Sequence, residues 1–190
     1  MSFIKTPTSL SGVYIIEPQV FGDERWFFME TYSKTEFEKI DIHTEFIQDN
    51  HSKSKKWVLR GLHFQSRKPQ TKLVRVTSGS VYDVIIDLRT ESPTFGKWEW
   101  FLLSAENKKM LYVPQGFAHG FLTLEDDTEF QYKCDDYYDP GYEVGLMWND
   151  KMLSINWEKY MVDHHIKEVQ IAEKDQKNMN WNTYLLAPIF

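Results

Sequence analysis

A single cysteine, Cys134, stands in a chain of 190 residues, so no disulfide can form within it. That removes the small disulfide-stapled secreted domains, and nothing argues for an oxidising compartment. Basic charge is also in short supply: 22 Lys and Arg face 28 Asp and Glu, a net charge of −6. Without a basic run the chain is a poor partner for nucleic acid. No apolar stretch approaches the roughly 20 residues that span a bilayer, so no membrane contact is expected. Met1–Leu10 lacks a basic region followed by an apolar run, so no signal peptide is expected and the expected address is cytoplasmic. Glycine and proline are few, 9 and 7, and repeats, linkers and low-complexity segments are missing. One domain over 1–190 is the expectation.

What the chain has in quantity is aromatic: 13 Phe, 10 Tyr and 7 Trp, a composition that suits strands. Hydrophobicity alternates with a period near two over most of the first 140 residues. It predicts strands over Val13–Glu17, Trp26–Thr31, Glu45–Asn50, Trp57–Gln65, Lys72–Thr77, Val81–Leu88, Lys97–Leu103, Lys109–Val113, His119–Leu124 and Glu129–Cys134. Ser78-Gly79-Ser80 reads as a tight hairpin. Ser33 and Glu36 have the spacing of a capping box, predicting a short helix over Ser33–Ile40. Beyond Trp157 the more polar tail reads as one or two helices packed outside. Many short strands and few helices predict an all-β barrel or sandwich, with a jelly roll as the best fit.

Polar residues on core faces carry the functional signal. In Thr128–Cys134 the even positions are Thr, Phe, Tyr and Cys, so Tyr132 and Cys134 point inward. Cys134 then reads as a small buried hydrophobe. Lys72 shares its face with Val74 and Val76 while Arg75 faces away, and Gln48 and Asn50 share a face with Phe46. A lysine there either binds an anion, steadies a developing negative charge, or snorkels from the strand's first residue. His63 lies in Val58–Gln65 and His119 in Pro114–Phe121, both within apolar, strand-like runs. One core histidine is ordinarily a satisfied hydrogen-bonder. Two of them, with Arg60, Lys72 and Tyr132, point to a polar cavity inside a β-barrel. Alternation puts His63 and Arg60 on opposite faces, so for both to serve one cavity the strand must bulge near Gly61.

Gln48-Asp49-Asn50, Val58–Gln65 and Pro114–Phe121 together resemble the dTDP-4-dehydrorhamnose 3,5-epimerase family, nucleotide-sugar epimerases on a cupin-like jelly roll. Phe21–Arg25, Lys72–Val76, Ser92–Gly96, Leu103–Lys108, Tyr132–Cys134, Trp148–Asp150 and Glu173–Asp175 extend the resemblance over nearly the whole chain. It implies His63 as base, Asp175 as its orienting carboxylate, Tyr132 as acid and Lys72 near the sugar's carbonyl oxygen. It implies substrate contacts in the Gln48-Asp49-Asn50 stretch and at Arg25, Glu30, Arg60, His119, Glu143 and Lys174, with Tyr138 stacked on the base. It also implies a homodimer whose subunits share strands and complete each other's sites. The family usually has Gly after the Arg25 position; Trp26 stands here, beside an arginine expected to bind diphosphate.

The implied substrate is dTDP-4-dehydro-6-deoxy-D-glucose, whose C4 ketone acidifies the hydrogens at C3 and C5. Inversion needs a base on one face, an acid on the other, and positive charge near the C4 oxygen. The reaction is redox-neutral, so no cofactor is expected. The cupin metal motif is reduced to His63 with Gln65 and to His119, so no metal is expected either. Competing readings are a family member inverting C3 alone, a metal-dependent cupin enzyme, and a non-catalytic sugar-binding jelly roll.

Overall fold

The alternation read from Thr128–Cys134 is physical: Thr128, Phe130 and Cys134 are buried, while Glu129, Gln131 and Lys133 lie on the less buried side. In the computed structural model, which describes residues 2–190, strands of this kind pair into two facing sheets. In chain order the elements are β1 (Phe3–Pro7), β2 (Tyr14–Pro18), β3 (Val20–Asp23), β4 (Trp26–Met29), α1 (Lys34–Glu38), β5 (Gln48–Ser54) and β6 (Val58–Gln65). There follow β7 (Lys72–Ser78), β8 (Ser80–Asp87), β9 (Trp98–Ser104), β10 (Met110–Val113), β11 (Phe117–Thr123), β12 (Thr128–Cys134) and β13 (Glu143–Gly145). The chain closes with α2 (Trp157–Asp163), β14 (Gln170–Ile171) and α3 (Trp181–Leu186).

One sheet runs β1-β2-β10-β7-β12-β5 and the other β13-β6-β11-β8-β9, with β14 added parallel to β6. This is the jelly roll expected from the sequence. Val74, Val76 and Phe130 of the first sheet meet Val81, Ile85, Phe101 and Phe121 of the second to form the inner core. The outer face of the second sheet carries Leu59, Tyr82, Val84 and Ile86 against Trp157, Trp181 and Tyr184 of the tail helices. Strand β8 is therefore covered on both faces and all eight of its residues are buried, which is why it reads as an apolar run rather than an alternation. The outer face of the first sheet is closed by Phe37 of α1 over Ile16, Leu73 and Met110.

Several sequence expectations shift. Ser78-Gly79-Ser80 is a tight turn with Gly79 at φ +70°, but not a hairpin: β7 pairs with β10 and β12, and β8 with β9 and β11. The turn carries the chain from one sheet to the facing one, so both strands share a core rather than a ladder. Ser33 stands at the N-cap of α1 without making the cap; its hydroxyl pairs with Thr35 at 3.1 Å, and Glu36 pairs with Lys39. Burial of Phe37 holds that short helix instead. The strand expected over Glu45–Asn50 begins at Gln48 and reaches Ser54. Phe46 consequently packs on Tyr32 in the outer cluster, away from the face of Asn50. Strands β1, β3, β13 and β14 were not anticipated. Among the described residues no helix is long and apolar enough to cross a membrane.

Candidate active site

The bulge expected near Gly61 is present. His119 pairs with His63, then the register slips so that Phe121 faces Arg60. Gly61 takes φ +111°, and a Cβ there would come within 2.7 Å of Gly120 Cα and of the His119 carbonyl oxygen. Only glycine tolerates both the dihedral and the approach. The slip turns Arg60 and His63 into one cavity of about 510 Å3 between the sheets, shared with Asn50, Lys72, His119, Tyr132, Tyr138, Glu143, Lys174 and Asp175.

His63 is held by Asp175, at 2.7 Å between Nε2 and Oδ1. A carboxylate only accepts, so Nε2 carries the proton and Nδ1 is the basic nitrogen. Nδ1 lies 4.0 Å from Glu143 Oε1. Asp175 comes from the turn after β14, and its other oxygen accepts from the Gly61 amide at 3.3 Å. Burial works to raise the Asp175 carboxyl, yet the hydrogen bond and charge of His63, the Gly61 amide and Lys174 hold it below the usual carboxylate range. Asp175 is therefore an anion that fixes the tautomer and steadies an imidazolium.

Tyr132 reaches the cavity from β12 and Lys72 from β7, with the lysine Nζ 5.8 Å from the tyrosine ring centroid. Burial, with Cys134, Glu143 and Tyr138 adding to it against Arg60, pushes the Tyr132 phenol up to about 12. It stays protonated through the neutral range. Burial also pushes the Lys72 ammonium below its usual value, against Cys134, Asp83 and Glu143, which hold it up.

A second pair lies deeper. His119 Nε2 donates to Asp83, 2.8 and 3.0 Å from its two oxygens, and both side chains are buried. Asp83 escaped the sequence reading; its only signal was a carboxylate inside the apolar run of β8.

The remaining candidates divide. Lys174 pairs with Glu143 at 2.8 Å, and Arg60 donates to Ser54 Oγ. Gln48 bridges the Tyr138 amide and the Asn50 carboxamide at the rim. Asp49 lies on the other face of β5, paired with Lys133. Arg25 sits on the β3–β4 hairpin, bonded to Asp23, outside the cavity of its own chain. Trp26, at φ +107°, is 82% exposed on that hairpin. Among the described residues no three His, Cys, Asp or Glu side chains converge as metal ligands, so the donors do not fit the cupin metal centre.

Comparison with known proteins agrees with this geometry. The family model described as dTDP-4-dehydrorhamnose 3,5-epimerase matches residues 7–183. The enzyme of that name from Methanothermobacter thermautotrophicus is 47% identical over 99% of this chain and 97% of its own. The Legionella pneumophila dTDP-6-deoxy-D-glucose-3,5-epimerase, solved with dTDP-4-keto-L-rhamnose, superposes with a TM-score of 0.88 at 42% identity, covering 95% of this chain and 93% of that one. A 3'-monoepimerase from Streptomyces bikiniensis, solved with dTDP-quinovose, gives a TM-score of 0.87 at 28% identity, covering 97% and 91%. The cavity, its two histidine–aspartate pairs and these likenesses lead to one conclusion: the chain belongs to the dTDP-4-dehydrorhamnose 3,5-epimerase family.

Proposed function

We propose that this protein converts dTDP-4-dehydro-6-deoxy-D-glucose into dTDP-4-dehydro-L-rhamnose by inverting C3 and C5 through enolates. The observation that carries the residue assignment is the convergence of the Asp175-held His63, protonated Tyr132 and Lys72 on one cavity. His63 Nδ1 takes the proton α to the ketone, forming the imidazolium that Asp175 stabilises. The electrons move to the C4 oxygen, where Lys72 meets the developing charge. Tyr132 delivers a proton to the opposite face, and exchange with solvent resets both groups. The steps repeat at the second carbon. The reaction needs no cofactor.

Arg60, His119, Lys174, Gln48, Asn50, Glu143 and Tyr138 are assigned to the nucleotide diphosphate on the resemblance of their motifs, whereas Asp49, paired with Lys133 on the other face of β5, is turned away from that contact. Arg25 and Glu30 act from the partner of a homodimer. One feature supports this: the hairpin that carries Arg25 presents Trp26, Phe27 and Phe28 to solvent. Sedimentation at micromolar concentration showing only a 22.7 kDa species would overturn the dimer.

Turnover in deuterated water followed by NMR tests the chemistry. Deuterium should enter at C3 and C5 together with formation of the L-rhamno product. The 3'-monoepimerase likeness favours a second reading, C3 inversion alone, which predicts deuterium at C3 only. Tyr132→Phe keeps the ring's packing, so exchange should continue while the doubly inverted product falls by roughly 10²-fold or more. Normal product from that variant would exclude Tyr132 as the acid.

A further inference from the structure

Lys72 stands between two spaces. On one side is the reaction cavity; on the other is a void of about 10 Å3, room for at most one water molecule. Phe64, Gln65, Gly116 and Phe117 line the void and are buried, whereas Pro69, Gln70 and Phe190 are half-buried and close its outer side, Phe190 with an aromatic ring. The Phe190 ring is thus an outer wall of that space. It meets Phe64 edge-on with centroids 5.8 Å apart and lies against Gly116, where an added Cβ would come 3.8 Å from it.

The segment carrying this ring is pinned. The Thr90 amide donates to the Phe190 carbonyl at 3.0 Å, and the Ile189 amide to Tyr184 Oη at 3.3 Å. Tyr184 Oη donates in turn to the Leu88 carbonyl at 2.9 Å. We infer that Phe190 is the rear seal of the reaction cavity, a positioning residue that keeps water from Lys72 and thereby sharpens its action on the substrate oxygen. The inference rests on the role given to Lys72 above.

The physical reason is the dielectric. An ammonium shielded from water acts on a developing oxyanion far more strongly than a hydrated one. The ionisable groups around Lys72 and its cavity are Tyr132 and Cys134 from β12, Asp83 from β8, His119 from β11, Arg60 and His63 from β6, Glu143 from β13, Tyr138 before it, and Lys174 and Asp175 from the turn after β14. The rear wall contributes apolar rings, amides and Pro69, and no charge. Opening the seal therefore changes hydration and leaves the neighbouring charges in place. The lowered affinity of Lys72 for its proton, caused first by burial, is the expected mark of a closed rear.

Phe190→Ala tests the seal with two readouts. In the first, kcat should fall about tenfold, a fraction of the loss from removing an oxyanion donor outright, with KM little changed. The basic limb of the kcat–pH profile should move to higher pH, because a hydrated Lys72 holds its proton longer. The Tyr132 phenol, near 12, titrates above that limb. The second readout is independent of activity. Cys134, the chain's only cysteine, pairs with Lys72 across β12 and β7 and is fully buried, its thiol pushed up to about 11 by burial first. Methyl methanethiosulfonate at pH 9 should label it about tenfold faster in Phe190→Ala than in the parent, as an opened route exposes the thiol.

Phe190→Leu should restore both readouts, and Phe190→Val, which leaves a narrower gap, gives the same two measurements should Phe190→Ala not fold. A folded Ala or Val variant with unchanged kcat, pH limb and labelling overturns the seal. Lys72→Met turning over at the parent rate would instead overturn the role of Lys72, while Cys134 labelling still decides whether Phe190 closes the cavity.

Discussion

Two histidine–aspartate pairs stand on neighbouring strands, and His63 and His119 are direct partners in the ladder. Both have a carboxylate within 2.8 Å, and they differ in almost everything else. His63 has a 23% exposed side chain at the cavity wall, and its basic nitrogen faces the space where a sugar would sit. Its carboxylate arrives from a turn 112 residues away. His119 is 7% exposed, and its carboxylate comes from the adjacent β8, with no exposure at all. A carboxylate beside an imidazole does not by itself make a base. The pair at the wall is open to the cavity and to solvent; the pair in the core is a buried hydrogen bond between neighbouring strands, with one ring edge on the cavity.

The largest contrast should come from removing each ring. His63→Ala should lose ~10⁴-fold in kcat, the upper range for a general base, since the nearby Glu143 carboxylate is held by Lys174 and is a weaker base than Nδ1. Its melting temperature should fall less than that of His119→Ala, because Asp175 keeps the Gly61 amide and borders the cavity. His119→Ala should behave oppositely, leaving Asp83 buried and unpaired at a cost of about 3–5 kcal/mol in stability. Thermal melts beside steady-state kinetics measure both. Comparable kinetic losses with unchanged melts would erase the distinction drawn here.

A smaller separation should follow from the carboxylates. Asp175→Asn keeps the shape but turns an NH2 or a neutral oxygen toward His63, so the tautomer is no longer fixed. A loss of roughly 10²-fold in kcat is expected, with KM nearly unchanged. Asp83→Asn should show its effect mainly in stability, about 1–3 kcal/mol by denaturant titration. A larger kinetic loss from Asp83→Asn than from Asp175→Asn would mean that the buried pair takes part in proton transfer.

The smallest effect expected is in acid. Asp175 has a folded-state pKa below its ordinary value, so its ionised form stabilises the fold above about 3.9. That contribution is lost as pH falls through the depressed folded value. The melting temperature of the parent should therefore drop more steeply below about pH 4 than that of Asp175→Asn. Parallel curves would show that Asp175 gains nothing from His63 in the folded state.

Sequence and structure diverge in an orderly way along these same pairs. His63, His119, Tyr132 and Lys72 could be placed because each interrupts a two-residue alternation, and strand parity then fixes a face. The shared cavity of Arg60 and His63 was legible as a conflict of parity beside a glycine, and the structure resolves it by a register slip. Asp175 had no such signal. It lies in a three-residue turn with no periodicity, and only the family resemblance pointed to it. Asp83 was hidden because β8 is buried on both faces, so no alternation marks which side its carboxylate takes. The short strands β13 and β14, with three and two residues, are made by pairing to β6 rather than by their own composition. The Ser78–Ser80 turn misled for a related reason: local residues specify a tight turn, and only the distant partners of each strand decide which sheet it joins.

The parallel pairing of β14 with β6 joins residue 170 to residue 58, and the turn after it brings Asp175 to His63. On a ribosome adding roughly 5–20 residues per second, the partner of His63 is made about 6–22 s after the histidine itself. Strands β1–β5 are already made when the interval begins, and β7–β14 are all synthesised within it. A nascent chain can thus pair most of its barrel while its imidazole has no fixed tautomer, and the proposed base is completed only when the tail docks.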